Sequence, residues 1–160
     1  MTDLKAELLK ALQTSRASLL ATLDGLSEYD RRRPLVPSGT NLLGLVKHLA
    51  GLEYGYLGTA FARPPVSPPT WFRDDPYDEI DLWATPDEST DYITSVYREA
   101  CAHSDATINQ LDLDTPGHVS HWANGETTLG VLLIRMVAET SHHAGHADIV
   151  RELIDGTVRR

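Results

Sequence analysis

The sequence predicts an all-α protein, a four-helix bundle with up-down-down-up topology and a long crossover between the second and third helices. Four segments repeat apolar residues at helical spacing, no segment shows the alternation of a half-buried strand, and a proline-rich stretch over 63–85 separates two pairs of helices. With 160 residues, 41% of them hydrophobic and 23% charged, the chain is long enough for a real core and is expected to form one domain over 1–160.

The first helix is read over 2–26, where Leu4, Leu8, Leu12, Leu19 and Leu23 recur on one face and Gly25 and Ser27 loosen the end. Pro34 and Pro37 bracket a short connection, with the preceding Arg31-Arg32-Arg33 run as a solvated helix end. Ser38 is the expected N-cap of the second helix, which continues to about residue 61 and stops at Arg63-Pro64-Pro65. His48 lies on it, sharing a face with Asn41, Leu45, Leu52 and Gly55. The crossover at 63–85 carries five prolines and the run Trp71-Phe72-Arg73-Asp74-Asp75, and reads as a strap over one flank or a lid over a pocket. Thr85-Pro86-Asp87-Glu88 has the form of a capping box, so the third helix is expected to start there and run to about Leu111. Cys101 reads as a packing residue and His103 as surface. Residues 112–124 form a second loop, from which His118, His121 and Trp122 could approach a pocket, although solvent exposure is the expected reading for the histidines. A short first connection makes helices 1 and 2 antiparallel, and a crossover long enough to span the bundle sets helix 3 parallel to helix 2.

The fourth helix, from Gly125 to Gly156, carries the chemistry. Its centre holds Glu139, His142, His143 and His146, three of the chain's seven histidines within five residues. On a helical wheel Glu139, His143 and His146 share the stripe of Leu132, Met136 and Val150, which points them at the core. A carboxylate and imidazoles on an apolar stripe need satisfaction, and a divalent cation satisfies such a group together. Glu139 with His143, or His142 with His146, stands one turn apart, and either pair can chelate one ion. All four cannot share it, because Glu139 and His146 are about 10 Å apart along the axis. His48, pointing inward from the second helix, is the natural third ligand. A histidine-rich helix end that merely complements the dipole is the plainer reading.

A net charge of -9 without a basic patch argues against nucleic acid as a partner. One cysteine, Cys101, excludes an internal disulfide and a cysteine-based zinc site, and suits a reducing cytoplasm. No apolar run approaches the ~18 residues of a membrane span, and no leader is evident.

His48 to Glu53 on the second helix, and the run from Glu139 through His143, His146, Asp148 and Arg151 to Gly156 on the fourth, resemble the DinB-like superfamily. The likeness is to its branch of small mini-circle proteins and, more distantly, to the metal-binding domain of mycothiol-dependent maleylpyruvate isomerase and to bacillithiol transferases. It extends over nearly the whole chain, including Trp71-Phe72. It implies the up-down-down-up bundle and a divalent metal held by one residue of helix 2 and two of helix 4. His143-Ala144-Gly145-His146 is similar to the family phrase of ligand histidine, spacer, glycine and glutamine, with histidine in the last place. The resemblance therefore implies His48, Glu139 and His143 as metal ligands, zinc or nickel as the metal, and His146 as a neighbour that contacts a bound thiol cofactor. Glu53 is expected to tie helix 2 to a neighbour. Arg135 and His142 depart from the branch pattern, which more often has histidine and arginine there.

Two functions follow. In the first, the metal activates a low-molecular-weight thiol, mycothiol-like, for attack on an electrophilic small molecule, as in an S-transferase or isomerase, with a homodimer compatible with the fold. In the second, the bundle is a metal-binding or stress-related module without turnover.

Overall fold

The computed structural model describes residues 3–72 and 79–158; Arg73-Asp74-Asp75 and Pro76 lie outside the described residues. Helix α1 spans Leu4–Ala21, with Asp3 accepting from the backbone N–H groups of Lys5 and Ala6 as its N-cap. It ends short of Leu26 because Thr22 folds its hydroxyl back onto the Leu19 carbonyl and the chain turns through Gly25 at φ 70°. The expected connection contains a further short helix, α2 (Glu28–Arg32), capped by Ser27. Its arginines are not simply solvated: Arg31 donates to the Leu23 carbonyl and Arg32 to those of Thr85 and Glu88.

Helix α3 (Leu42–Tyr56) begins at Asn41, not Ser38, since the Asn41 side chain accepts from the Gly44 N–H. Helix α4 (Thr90–Gln110) is capped by Ser89. The capping box one turn earlier closes only as a turn, with Glu88 accepting from the Thr85 N–H, because the same carboxylate is drawn to Lys47 at 2.8 Å. Helix α5 (Leu129–Asp155) starts at the Thr128 cap and ends at Gly156, whose φ of 75° suits glycine. The second loop contains a small hairpin: β1 (Pro116–His118) pairs antiparallel with β2 (Glu126–Thr128), His118 opposite Glu126. Three-residue strands are too short to print an alternation in sequence.

Side-chain contacts fix the helix directions. Lys5 at the start of α1 donates to the Leu111 carbonyl beyond the end of α4, so these two are antiparallel. Lys47 meets Glu88 before α4, and Ser104 late in α4 donates to the Glu53 carbonyl late in α3, so α3 and α4 run parallel. Ser15 meets Ser141, and Arg151 reaches the carbonyls of Thr22 and Asp24, so α1 and α5 run parallel. The result is the up-down-down-up bundle. No helix among the described residues is long and apolar enough to cross a membrane.

The core has two apolar clusters, one centred on Leu19, Leu49, Tyr97 and Ala147, the other on Leu12, Leu57, Leu132 and Met136. In the middle of the bundle Arg16 makes a paired contact with Glu53, both bonds 2.7 Å, and a third bond of 2.6 Å to Asp105. Glu53 is fully buried and Arg16 nearly so, which makes Glu53 the tie between helices expected of it.

One stripe of α3, made of Gly44, Lys47, His48 and Gly51 at helical spacing, seats the end of the crossover. Asn41 Nδ2 donates to the Leu82 carbonyl, and the buried Lys47 Nζ donates to the Trp83 carbonyl and pairs with Glu88. Gly44 is indispensable to this fit: a Cβ there would stand 2.0 Å from the Leu82 oxygen. Gly44→Ala should therefore destabilise the protein by about 1–3 kcal/mol through forced displacement of this segment, although alanine is the better helix former by ~1 kcal/mol. Denaturant titration checks the sign; a stabilised variant contradicts it.

Candidate functional site

A cavity of about 680 Å³ opens between α3, α5, the crossover and the hairpin. Gly51 and Gly55 on α3 floor it, Trp71 and Phe72 of the crossover close one side, and His118, Val119 and His121 of the hairpin another. Trp71 and Phe72 thus act both as packing and as wall. Trp71 is buried against Lys47, 4.8 Å from ring to ammonium, and Phe72 stands 5.9 Å from Tyr54. His118 and His121 are exposed, as expected, and also line the cavity, the alternative their loop position left open.

His48, Asp81, Arg135 and Glu139 also reach this wall. His48 Nδ1 is 2.7 Å from Asp81 Oδ2. Burial alone would raise the Asp81 carboxyl, but the hydrogen bond and charge of His48, a backbone bond and the Lys47 charge outweigh it and lower its pKa. An ionised carboxylate accepts only, so Nδ1 of His48 donates in this bond and Nε2 is the ring nitrogen left to meet another group. Its ring stands 5.2 Å from that of His143. His143 Nε2 lies 3.8 Å from Glu139 Oε2, and its Nδ1 is buried with no hydrogen-bond partner among the described residues. Burial, then the neighbouring imidazoles of His48, His146 and His142, push His143 down to about 4, so it is neutral at pH 7. The neutral imidazole of His143 is in the state a metal requires.

The structure brings together His48, Glu139 and His143, the three expected ligands. The buried stripe of α5 runs through Met136, Thr140, Ala144 and Ala147, so Glu139 and His143 border it and His146 lies outside it, exposed. His146 meets His142 edge-to-face at 4.2 Å and is 5.6 Å from the His143 ring, beyond the residues that line the cavity. His103 is not surface: its Nε2 is 2.7 Å from the Arg63 carbonyl. Cys101 sits in the core against Glu53, and burial followed by that carboxylate raises its thiol far above the ordinary range, which makes it inert.

His48 and His143 stand at a separation that one divalent ion can bridge. Two imidazoles on one tetrahedral ion at ~2.1 Å stand with ring centroids about 5.2 Å apart, which matches the separation of His48 and His143. Among the described residues no group of three or more His, Cys, Asp or Glu side chains is placed to hold a metal ion; Glu139 leans toward Arg135, 3.5 Å away. The unpartnered His143 nitrogen is what an ion would satisfy.

Asp81 is the residue that sequence reasoning missed, because it lies in the irregular crossover. The available signal was the stripe of Gly44, Lys47, His48 and Gly51, too small and too polar to bury against another helix. Carboxylates that orient ligand histidines are worth ~10–100-fold in metal affinity. Asp81→Asn should weaken metal binding by about that factor while leaving helix content unchanged, as competition with a chromophoric chelator would read; unchanged affinity would remove Asp81 from the site.

The comparisons agree with this architecture. Residues 7–156 match the mycothiol S-transferase family, a DinB-like family. Among solved structures, a conserved protein from Enterococcus faecalis superposes with a TM-score of 0.77 at 14% identity, covering 98% of this chain and 100% of that one, which shows the same fold. No match is found among curated proteins. With the family matched from α1 to the end of α5, and the second-helix and fourth-helix residues in place, the chain belongs to the mycothiol S-transferases.

Proposed function

We propose that the protein is a divalent-metal-dependent transferase that uses a low-molecular-weight thiol, mycothiol by family, against an electrophilic small molecule. The observation that carries this reading is the convergence of His48, Glu139 and His143 at the edge of an open cavity large enough for a thiol and an acceptor. A zinc or nickel ion held by these residues would lower the pKa of a bound thiol so that the thiolate forms near neutral pH. The nucleophile comes from outside the chain, because the only cysteine is buried and inert.

The protein's own residues supply the rest. Asp81 holds the His48 ring in orientation. Trp71, Phe72 and Tyr56 exclude water from one side of the cavity. Arg135, its guanidinium over Tyr56 at 5.3 Å and Trp122 at 5.2 Å, places a positive charge beside Glu139. Open, partly aromatic space next to the ligands favours turnover over a purely structural ion, whose site would be closed by a fourth side chain. His146 would contact a bound thiol only from the rim, across His143.

The test is metal-dependent consumption of mycothiol with a haloalkane or quinone electrophile. Gly55 lines the cavity with only Phe72 near its Cβ position, at 3.9 Å, so Gly55→Phe should fill the space. That variant is expected to keep its metal and lose turnover at least tenfold in kcat/KM; full activity in it would place the reaction elsewhere.

A further inference from the structure

Two imidazoles of α5 lie outside the inner ligand set. His142 and His146 are exposed, one helical turn apart, with ring centroids 4.2 Å apart and planes at 76°. Among the described residues nothing stands within 4 Å of where a Cβ would sit at Gly145, beside them on the helix. The chain's net charge of -9 favours cations near it.

The separation of the two rings carries the argument. With nitrogen to metal at ~2.0–2.1 Å and a ring centroid roughly 1.1 Å behind the nitrogen, two imidazoles in cis positions at a right angle stand about 4.5 Å apart; at the tetrahedral angle they stand about 5.2 Å apart. His48 and His143, at 5.2 Å, fit the tetrahedral case. His142 and His146, at 4.2 Å, stand well inside the tetrahedral separation and nearest to the right angle of a tetragonal or octahedral ion. We propose that His142 and His146 form a second, solvent-facing divalent-cation site, selective for copper(II) or nickel(II) and separate from the enclosed site of His48, Glu139 and His143. Tetragonal nitrogen sites suit these ions, and copper(II) binds most tightly among the first-row divalent metals. The two nitrogens occupy cis positions, and water completes the shell. His143, whose ring is 5.4 Å from His142 and 5.6 Å from His146, remains with the inner set.

The experiment titrates the full-length protein with copper(II) chloride, followed by d–d absorption and by metal content after desalting. Wild type is expected to take two ions per chain. His142→Ala and His146→Ala, each at an exposed helical position where alanine is well tolerated, should each take one, because a lone surface imidazole does not retain an ion that a chelate holds. The double variant His118→Ala/His121→Ala, which removes two other exposed imidazoles, should still take two. A single bound ion that vanishes with either α5 substitution keeps the outer site and removes the inner one. Copper content and spectrum unchanged by both α5 substitutions would overturn the proposal, whatever the outcome at His48 and His143.

Discussion

Native protein is expected to purify with about one divalent ion per chain and His143→Ala without it, while His142→Ala keeps it. His143 borders the buried stripe of α5 and faces His48 at 5.2 Å, with Glu139 one turn earlier at 3.8 Å; His142 is exposed and faces solvent. Losing one of three ligands from a site open to water removes most of its affinity. A ligand present at 1,000 times its Kd stabilises the fold by ~4 kcal/mol, so zinc should raise the melting temperature of wild type by several degrees and leave that of His143→Ala unmoved. Retention of zinc in His143→Ala together with its loss in His142→Ala would make the outer pair the principal site.

Arg16→Met should cost about 3–5 kcal/mol, because it leaves the fully buried Glu53 carboxylate without its counter-charge. Against a typical total of ~5–15 kcal/mol, this is a large share. The double variant Arg16→Met/Glu53→Leu should recover much of the loss, since an apolar pair of similar volume carries no desolvation penalty. Asp105, partly exposed, would then turn to water. Chemical denaturation of the two single variants and the double variant reads the coupling; additive losses would mean that the pair does not act as a unit.

The bundle and its topology were legible because they follow from features the sequence carries directly: apolar spacing, and a crossover long enough to return along the bundle. Element ends were less legible. Glu88 could have completed a capping box on α4, but its partner Lys47 lies on another helix, and that ion pair moved the helix start to Ser89. The hairpin at Pro116–Thr128 depends on backbone pairing of three-residue strands, which leaves no periodic trace. His48 and His143 could be read as partners from their faces alone, whereas the choice of His143 over His142 needed the family phrase. The wheel placed His146 with them because it fixed direction and not the width of the buried stripe, which is centred on Thr140 and Ala144. Asp81 was invisible because a carboxylate in an irregular segment has no predictable facing. Only the seat that Gly44 and Lys47 provide explains its place beside His48.

The most direct measurement of thiol activation is optical. In cobalt-substituted protein at pH 7, a free thiol with a pKa of ~8.5 is only a few per cent ionised. If His48, Glu139 and His143 hold the ion at which the thiol is ionised, adding mycothiol should produce a sulfur-to-cobalt charge-transfer band and release about one proton per chain. Both signals should be absent in His48→Ala. A cobalt spectrum that responds to no thiol, in protein that holds the ion at these residues, would contradict the transferase account and leave a metal-binding bundle without thiol chemistry.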